Sequence, residues 1–127
     1  MDPAGEYTDE EIHQALFKCR INIFCDSLGG IYTEFKENAT NISIGQKQLF
    51  CLARALLHHR KIICLDEMTT NIDTETENDL NIVLDESFAD CTILHIAHNL
   101  DAVSHYDRFI WMNSGRIVKI TTSLQFN

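Results

Sequence analysis

Two short apolar runs end in groups that can hold a cation or move a proton. Ile62-Ile63-Cys64-Leu65 leads into Asp66-Glu67, and Cys91-Thr92-Ile93-Leu94-His95-Ile96-Ala97 leads into His98. Neighbouring carboxylates suit two tasks: one can hold a magnesium ion, often through water, while the other orients or deprotonates an attacking water. A histidine on a nearby strand end can sense or bind a phosphate. A third group, Ser43-Ile44-Gly45-Gln46, opens a helical pattern. It offers a hydroxyl and a closely approachable backbone amide at a helix N-terminus, which favours anions. Each signal also has a plain structural meaning. Acids after strands are often helix caps, and a lone histidine is more often a satisfied core residue. Ser43 and Gln46 fit a capping box in any case, and a cap and an anion site use the same amides, so both readings can hold together.

The elements that would carry these groups are legible from periodicity. Thr8 with Glu11 forms a capping box, and Ile12, Ala15, Leu16 and Cys19 then share one helical face. Residues 22–41 contain Gly29-Gly30 and little periodicity, which predicts loop with room for a short helix. A second helix starts near Ser43, with Leu49, Leu52, Ala53, Leu56 and Leu57 as its apolar stripe. His58, His59, Arg60 and Lys61 crowd its end, where cations complement the helix dipole. The two apolar runs read as strands buried on both faces. A helix between them follows Asp73, with Leu80, Val83, Leu84 and Phe88 on one side. Residues 108–112 and 116–120 flank Asn113-Ser114-Gly115, a hairpin signal. The order predicts an α/β layout with parallel strands and an added antiparallel pair. In open sheets of that kind ligands sit at the carboxyl ends of the strands, where Asp66, Glu67 and His98 fall.

Composition narrows the function. The chain of 127 residues is one domain by length, with 45% apolar and 23% charged residues. Ten Lys and Arg against 19 Asp and Glu give a net charge of −9. That argues against a nucleic-acid partner, which needs a basic face to displace counterions. No apolar run approaches the ~20 residues that span a bilayer, and no basic-then-apolar leader opens the chain. The five cysteines, Cys19, Cys25, Cys51, Cys64 and Cys91, form no CxxC pair and are expected to be reduced and mostly buried. A zinc site from Cys51, His58 or His59, and Cys64 lacks the tight ligand pairs that metal sites usually show.

Taken together in one ordered run, the groups say more than they do singly. Ile42 to Gln46 resemble the LSGGQ signature of ATP-binding cassettes of ABC transporters. Ile62 to Glu67 resemble Walker B with its catalytic glutamate, Asn71-Ile72-Asp73 the D-loop, and His98 the switch histidine. Asp2-Pro3, Gly5 to Ile12, Ile44 within the signature, Asp73 to Glu77 and Phe88 to Thr92 are most similar to the C-terminal part of the second cassette of subfamily C, the multidrug-resistance-associated group. The resemblance implies an α/β, truncated P-loop NTPase fold with part of the helical subdomain. It implies residues 1–60 as helical subdomain and signature helix, and residues 61–127 as Walker B, D-loop, switch histidine and hairpin. ATP and magnesium are the implied cofactors. Glu67 would act on the lytic water, His98 would contact the γ-phosphate, and Asp66 would support magnesium through water. Ser43, Ile44, Gly45 and Gln46 would contact ATP held by an opposite cassette, and Asp73 would communicate across that dimer. The implied partners are a complementary nucleotide-binding domain and transmembrane domains, with the chain itself soluble at the cytoplasmic face of a membrane.

One feature of the family is not found in these 127 residues: a Gly-rich loop ending in Gly-Lys-Ser/Thr, which cradles the phosphates. The leading expectation is therefore a truncated nucleotide-binding domain that does not hydrolyse ATP alone. The alternative is a non-catalytic module, or a degenerate fragment, that docks on an intact cassette and offers its signature in trans. In the family a further strand lies between the one ending at His98 and the one near residues 108–112. The expectation is that these two strands either flank an open slot or close it with rearranged pairing.

Overall fold

The computed structural model describes residues 2, 4–34, 41–68, 71–98 and 103–122; Pro3, in the opening Asp2-Pro3 pair, lies outside them. Eight elements follow in the order α1 (Asp9–Lys18), α2 (Asn22–Ser27), α3 (Ile44–Leu57), β1 (Ile62–Asp66), α4 (Thr74–Ser87), β2 (Thr92–Ile96), β3 (Phe109–Asn113) and β4 (Arg116–Thr121). The fold is α/β, as the element order predicts.

Local chemistry accounts for the helix starts. Thr8 and Glu11 cap α1 reciprocally, and Ser43 and Gln46 do the same for α3. Asp73 caps α4 by accepting the Thr76 N–H at 2.9 Å. α1 packs on α3, and α3 packs on α4. Leu16, Cys19 and Ile21 from the α1 region meet Ala53 of α3 and Leu80, Val83 and Phe88 from the α4 region in one core, all nearly solvent-free. Phe50, which the predicted stripe omits, is buried with them and lies against Phe24 of α2.

β1 and β2 pair in parallel, from Ile62 opposite Thr92 to Asp66 opposite Ile96. β3 and β4 form a separate antiparallel hairpin. Its turn places both Ser114 (φ 49°) and Gly115 (φ 73°) in the left-handed region, the type I′ geometry that matches strand twist. No ladder pairing joins β2 to β3 among the described residues, which agrees with strands that flank a slot rather than close it.

Two expectations need correction. The strands are not buried on both faces. Ile63 and Leu65 enter the core, but Ile62 on the other face of β1 is 62% exposed and Ile96 on β2 is 60% exposed. The helices cover one face of the pair, and no described element covers the other. The cysteines are not mostly buried either. Cys19 and Cys25 are, whereas Cys64 lies on the bare face of β1 and Cys51 on the outer side of α3, both exposed. Burial pushes the Cys19 thiol up to about 12, so it stays protonated and inert.

Candidate functional site

Parallel pairing brings the carboxyl ends of β1 and β2 side by side, and two of the expected groups meet there. Past Asp66 the chain turns sharply, with Glu67 in the left-handed region at φ 49°. For a residue with a Cβ that conformation costs on the order of 1–2 kcal/mol. A backbone bond holds it: the Glu67 N–H donates to the Ile96 carbonyl at 2.9 Å, extending the link between strands one residue past the ladder. The turn brings Glu67 Oε1 within 2.8 Å of His98 Nε2. Solvent reaches both groups, so the pair stabilises the fold by no more than about 1 kcal/mol. Its consequence is chemical: a carboxylate and an imidazole stand together, open to a ligand, at the end of a two-stranded parallel sheet. Asp66 is exposed beside them, on the bare face of β1.

The second group is built by the start of α3. Ser43 Oγ accepts the Gln46 N–H at 3.1 Å, and Gln46 Oε1 accepts the Ser43 N–H at 2.9 Å. The cap thus satisfies one backbone donor of the helix's first turn, at Gln46, and the Ser43 N–H just before it. Ile44 is exposed. Gly45 is buried, and the direction a Cβ would take points at the Thr76 methyl, with Ile72 behind it. Glycine at this position is therefore required by close packing of α3 against the start of α4. The sequence pattern suggests only its openness to an anion.

Asp73 is engaged within the chain. Its carboxylate accepts the Thr76 N–H and, at 2.7 Å, the Thr76 hydroxyl. Those bonds, the backbone one first, hold its pKa below the ordinary carboxylate value. One cap therefore links Asp73, Thr76 and the Gly45 contact. Among the described residues the side-chain bonds of the Ser43–Gln46 group and of the Glu67–His98 pair stay within each group.

Among the described residues no group of three or more His, Cys, Asp or Glu side chains is placed to hold a metal ion. Asp66 could supply one oxygen ligand to a magnesium ion, which usually takes one or two protein carboxylates and fills its shell with water and phosphate. Among the described residues that single carboxylate fits magnesium brought in with a nucleotide.

One polar pair escapes the sequence pattern. His95, inside the second apolar run, lies 3.0 Å through Nδ1 from the Tyr106 hydroxyl. Strand alternation alone places His95 on the inner face with Ile93, which was the available signal; Tyr106 carried none.

Comparison with known proteins agrees with this arrangement. The family described as "ABC transporter" matches residues 6–70, half of the chain. The mouse protein "ATP-binding cassette sub-family C member 10" is 39% identical over 120 residues, covering 94% of this chain and 8% of that protein. The human "ATP-binding cassette sub-family C member 4" is 40% identical over 118 residues, 92% of this chain and 9% of the relative. The human "ATP-binding cassette sub-family C member 2" is 41% identical over 120 residues, 94% and 8% respectively. The chain thus spans less than a tenth of the length of these curated relatives. A P-loop NTPase-type α/β layout, a signature-like cap on α3, and a carboxylate and histidine at adjacent strand ends accompany these matches: the chain belongs to the ABC transporter family, as a cassette segment of the subfamily C type.

Proposed function

We propose that this chain is the C-terminal segment of a nucleotide-binding domain whose whole protein couples ATP binding and hydrolysis to export across a membrane. The observation that carries the reading is the Glu67–His98 pair, 2.8 Å apart at the ends of two parallel strands. Glu67 orients and deprotonates the attacking water, and His98 contacts the γ-phosphate and holds Glu67 toward it. Asp66 offers one carboxylate oxygen to magnesium, which when bound with ATP neutralises charge on the phosphates. Ser43, Ile44, Gly45 and Gln46 present the start of α3 to a nucleotide held by a complementary cassette, and Asp73 shapes that surface by fixing the start of α4. The same reading divides the chain into residues 1–60, helical subdomain and signature helix, and residues 61–127, Walker B, D-loop, switch histidine and C-terminal hairpin. The partners are that second cassette and transmembrane domains at the cytoplasmic face of a membrane. No helix of the described residues is long and apolar enough to cross one itself.

Phosphoryl transfer depends mainly on positioning and charge stabilisation, and these 127 residues include no Gly-rich phosphate loop. The chain by itself is therefore a partial site. The test mixes the purified chain with the separately produced phosphate-loop half of a subfamily C cassette. Magnesium-dependent ATPase activity should emerge only in the mixture and vanish with Glu67→Gln. A mixture as silent as either half, despite a stable complex between them, overturns the reading.

A further inference from the structure

Gly45 faces two residues that flank Asp73. A Cβ built on Gly45 would lie 3.1 Å from Thr76 Cβ and 3.5 Å from Ile72 Cγ2, with the Thr76 methyl closer than either. The start of α3 is thus seated on the residue just before Asp73 and on the residue three places after it. Of the first-turn donors of α3, the Gln46 and Lys47 N–H groups go to Ser43, one to Oγ and one to the carbonyl, each at 3.1 Å. Among the described residues that leaves Ile44 and Gly45 as the backbone donors the cap does not use.

The direction of the Thr76 methyl is a matter of one torsion. A threonine in a helix divides between two χ1 rotamers, because its hydroxyl has a choice of partners. Here the hydroxyl is engaged. It donates to one oxygen of Asp73 at 2.7 Å, while the Thr76 N–H donates to the other at 2.9 Å. With Oγ1 held at Asp73, the methyl is left toward Gly45. The two carboxylate oxygens therefore have separate tasks: one caps α4, and the other fixes the methyl on which α3 is seated. Ile72, packed against the core, is a fixed wall behind that methyl. Asp73 is exposed and Thr76 half-buried, so a group from another chain can reach the carboxylate without touching the methyl contact.

We propose that Thr76 is a positioning residue for the start of α3: its hydroxyl follows the state of Asp73, and its methyl passes that state to Gly45. A partner group that draws the Asp73 carboxylate away frees the torsion and loosens the seat of Ile44 and Gly45. The proposal rests on the reading of the α3 start as a nucleotide-facing surface, but the link itself is measurable without nucleotide.

The experiment is NMR on the full chain. In the unmodified protein, three-bond couplings should report a single Thr76 rotamer, and a nuclear Overhauser contact should join the Thr76 methyl to the Gly45 α-protons. Two neutral replacements of Asp73 then separate its tasks. Serine is an equally good cap with one oxygen, so Asp73→Ser keeps the N–H bond and frees the hydroxyl. Asparagine has two polar atoms, so Asp73→Asn caps with Oδ1 and can donate to the Thr76 hydroxyl through Nδ2. Asp73→Ser should average the Thr76 rotamer and weaken the methyl–Gly45 contact about twofold, the change from one rotamer to two. Asp73→Asn should preserve it.

Magnesium–ATP is then titrated while the Ile44 and Gly45 amides are followed. Its apparent dissociation constant should be about twofold weaker in Asp73→Ser than in Asp73→Asn, because affinity falls with the competent fraction. The two variants carry the same charge, so loss of charge alone does not separate them. Averaged rotamers in the unmodified chain, or an equal methyl–Gly45 contact in the two variants, overturn the proposal. Equal ATP constants despite a weakened contact overturn it as well. If ATP moves neither amide in the unmodified chain, the nucleotide reading fails, and the couplings and the methyl contact decide the link by themselves. If Asp73→Ser does not fold, Thr76→Ser replaces it, keeping the hydroxyl bond and removing the methyl. It should weaken the ATP response at Ile44 and Gly45, and an unchanged response overturns the proposal.

Discussion

Gly45, near the start of α3, faces the methyl group of Thr76, near the start of α4, so closely that no Cβ fits between them. Thr76 cannot easily turn aside, because its hydroxyl donates to Asp73 at 2.7 Å and its N–H donates to the same carboxylate. A residue that reads as part of an anion-binding motif is thus also fixed by packing inside the chain.

Gly45→Ala should therefore destabilise the chain by roughly 1–3 kcal/mol, the usual cost of overpacking. That loss should exceed the ~1 kcal/mol by which alanine improves helix propensity over glycine. Thr76→Ser, which removes the methyl and keeps the hydroxyl, should recover most of the loss in the double variant. Urea midpoints of the four proteins check both statements; a Gly45→Ala chain as stable as the original would mean the helices separate easily there.

The Ser43 cap should matter to stability whether or not nucleotide is present. Ser43→Ala removes the acceptor for the Gln46 N–H and should cost about 1 kcal/mol. Ser43→Asp, which keeps an acceptor, should cost far less. Thermal unfolding followed by circular dichroism distinguishes the two.

The Asp73 cap predicts the sign of one pH effect. Its folded-state pKa lies below the ordinary carboxylate value, so its contribution is complete above the unfolded value and is lost as pH falls through the folded one. Stability measured between about pH 5 and pH 2 should decline less steeply in Asp73→Asn than in the original chain, because fewer protons are taken up on unfolding. Parallel declines would mean the carboxylate charge does not contribute to the cap.

In a cassette complemented as described, Glu67→Gln should abolish turnover while nucleotide still binds, since the substitution keeps the shape and removes the base. His98→Ala should lower turnover as well. The chain alone should bind ATP no more tightly than about millimolar, near −4 kcal/mol, from the helix-start amides. Calorimetry gives the affinity, and a steady turnover rate in the Glu67 variant would mean the base lies elsewhere.

The bare sheet face predicts solution behaviour. Ile62, Leu94 and Ile96 expose a contiguous apolar surface beside strand edges that are unpaired among the described residues, the combination that promotes association. The isolated chain should self-associate and bind a hydrophobic dye. Leu94→Lys, directed away from the helical core, should reduce both without lowering the unfolding midpoint. Light scattering and dye fluorescence supply the readouts.

Much of this protein is written locally. The capping boxes at Thr8 and Ser43, the apolar stripes of α1, α3 and α4, and the Ser114-Gly115 turn rest on interactions within a few residues, so spacing alone reveals them. The ordered groups from Ile42 to His98 were equally legible, because their order along the chain carries the family resemblance. Three features were decided only by tertiary structure. The Glu67–His98 contact needs parallel pairing of β1 with β2 and a left-handed residue after β1, and no local pattern encodes that register. The Gly45–Thr76 contact depends on how two helices cross. The bare face of the strand pair could not be read from apolar runs, which look the same whether one face or both are covered. Burial is settled by the neighbours an element acquires, and here the helices pack on one side alone.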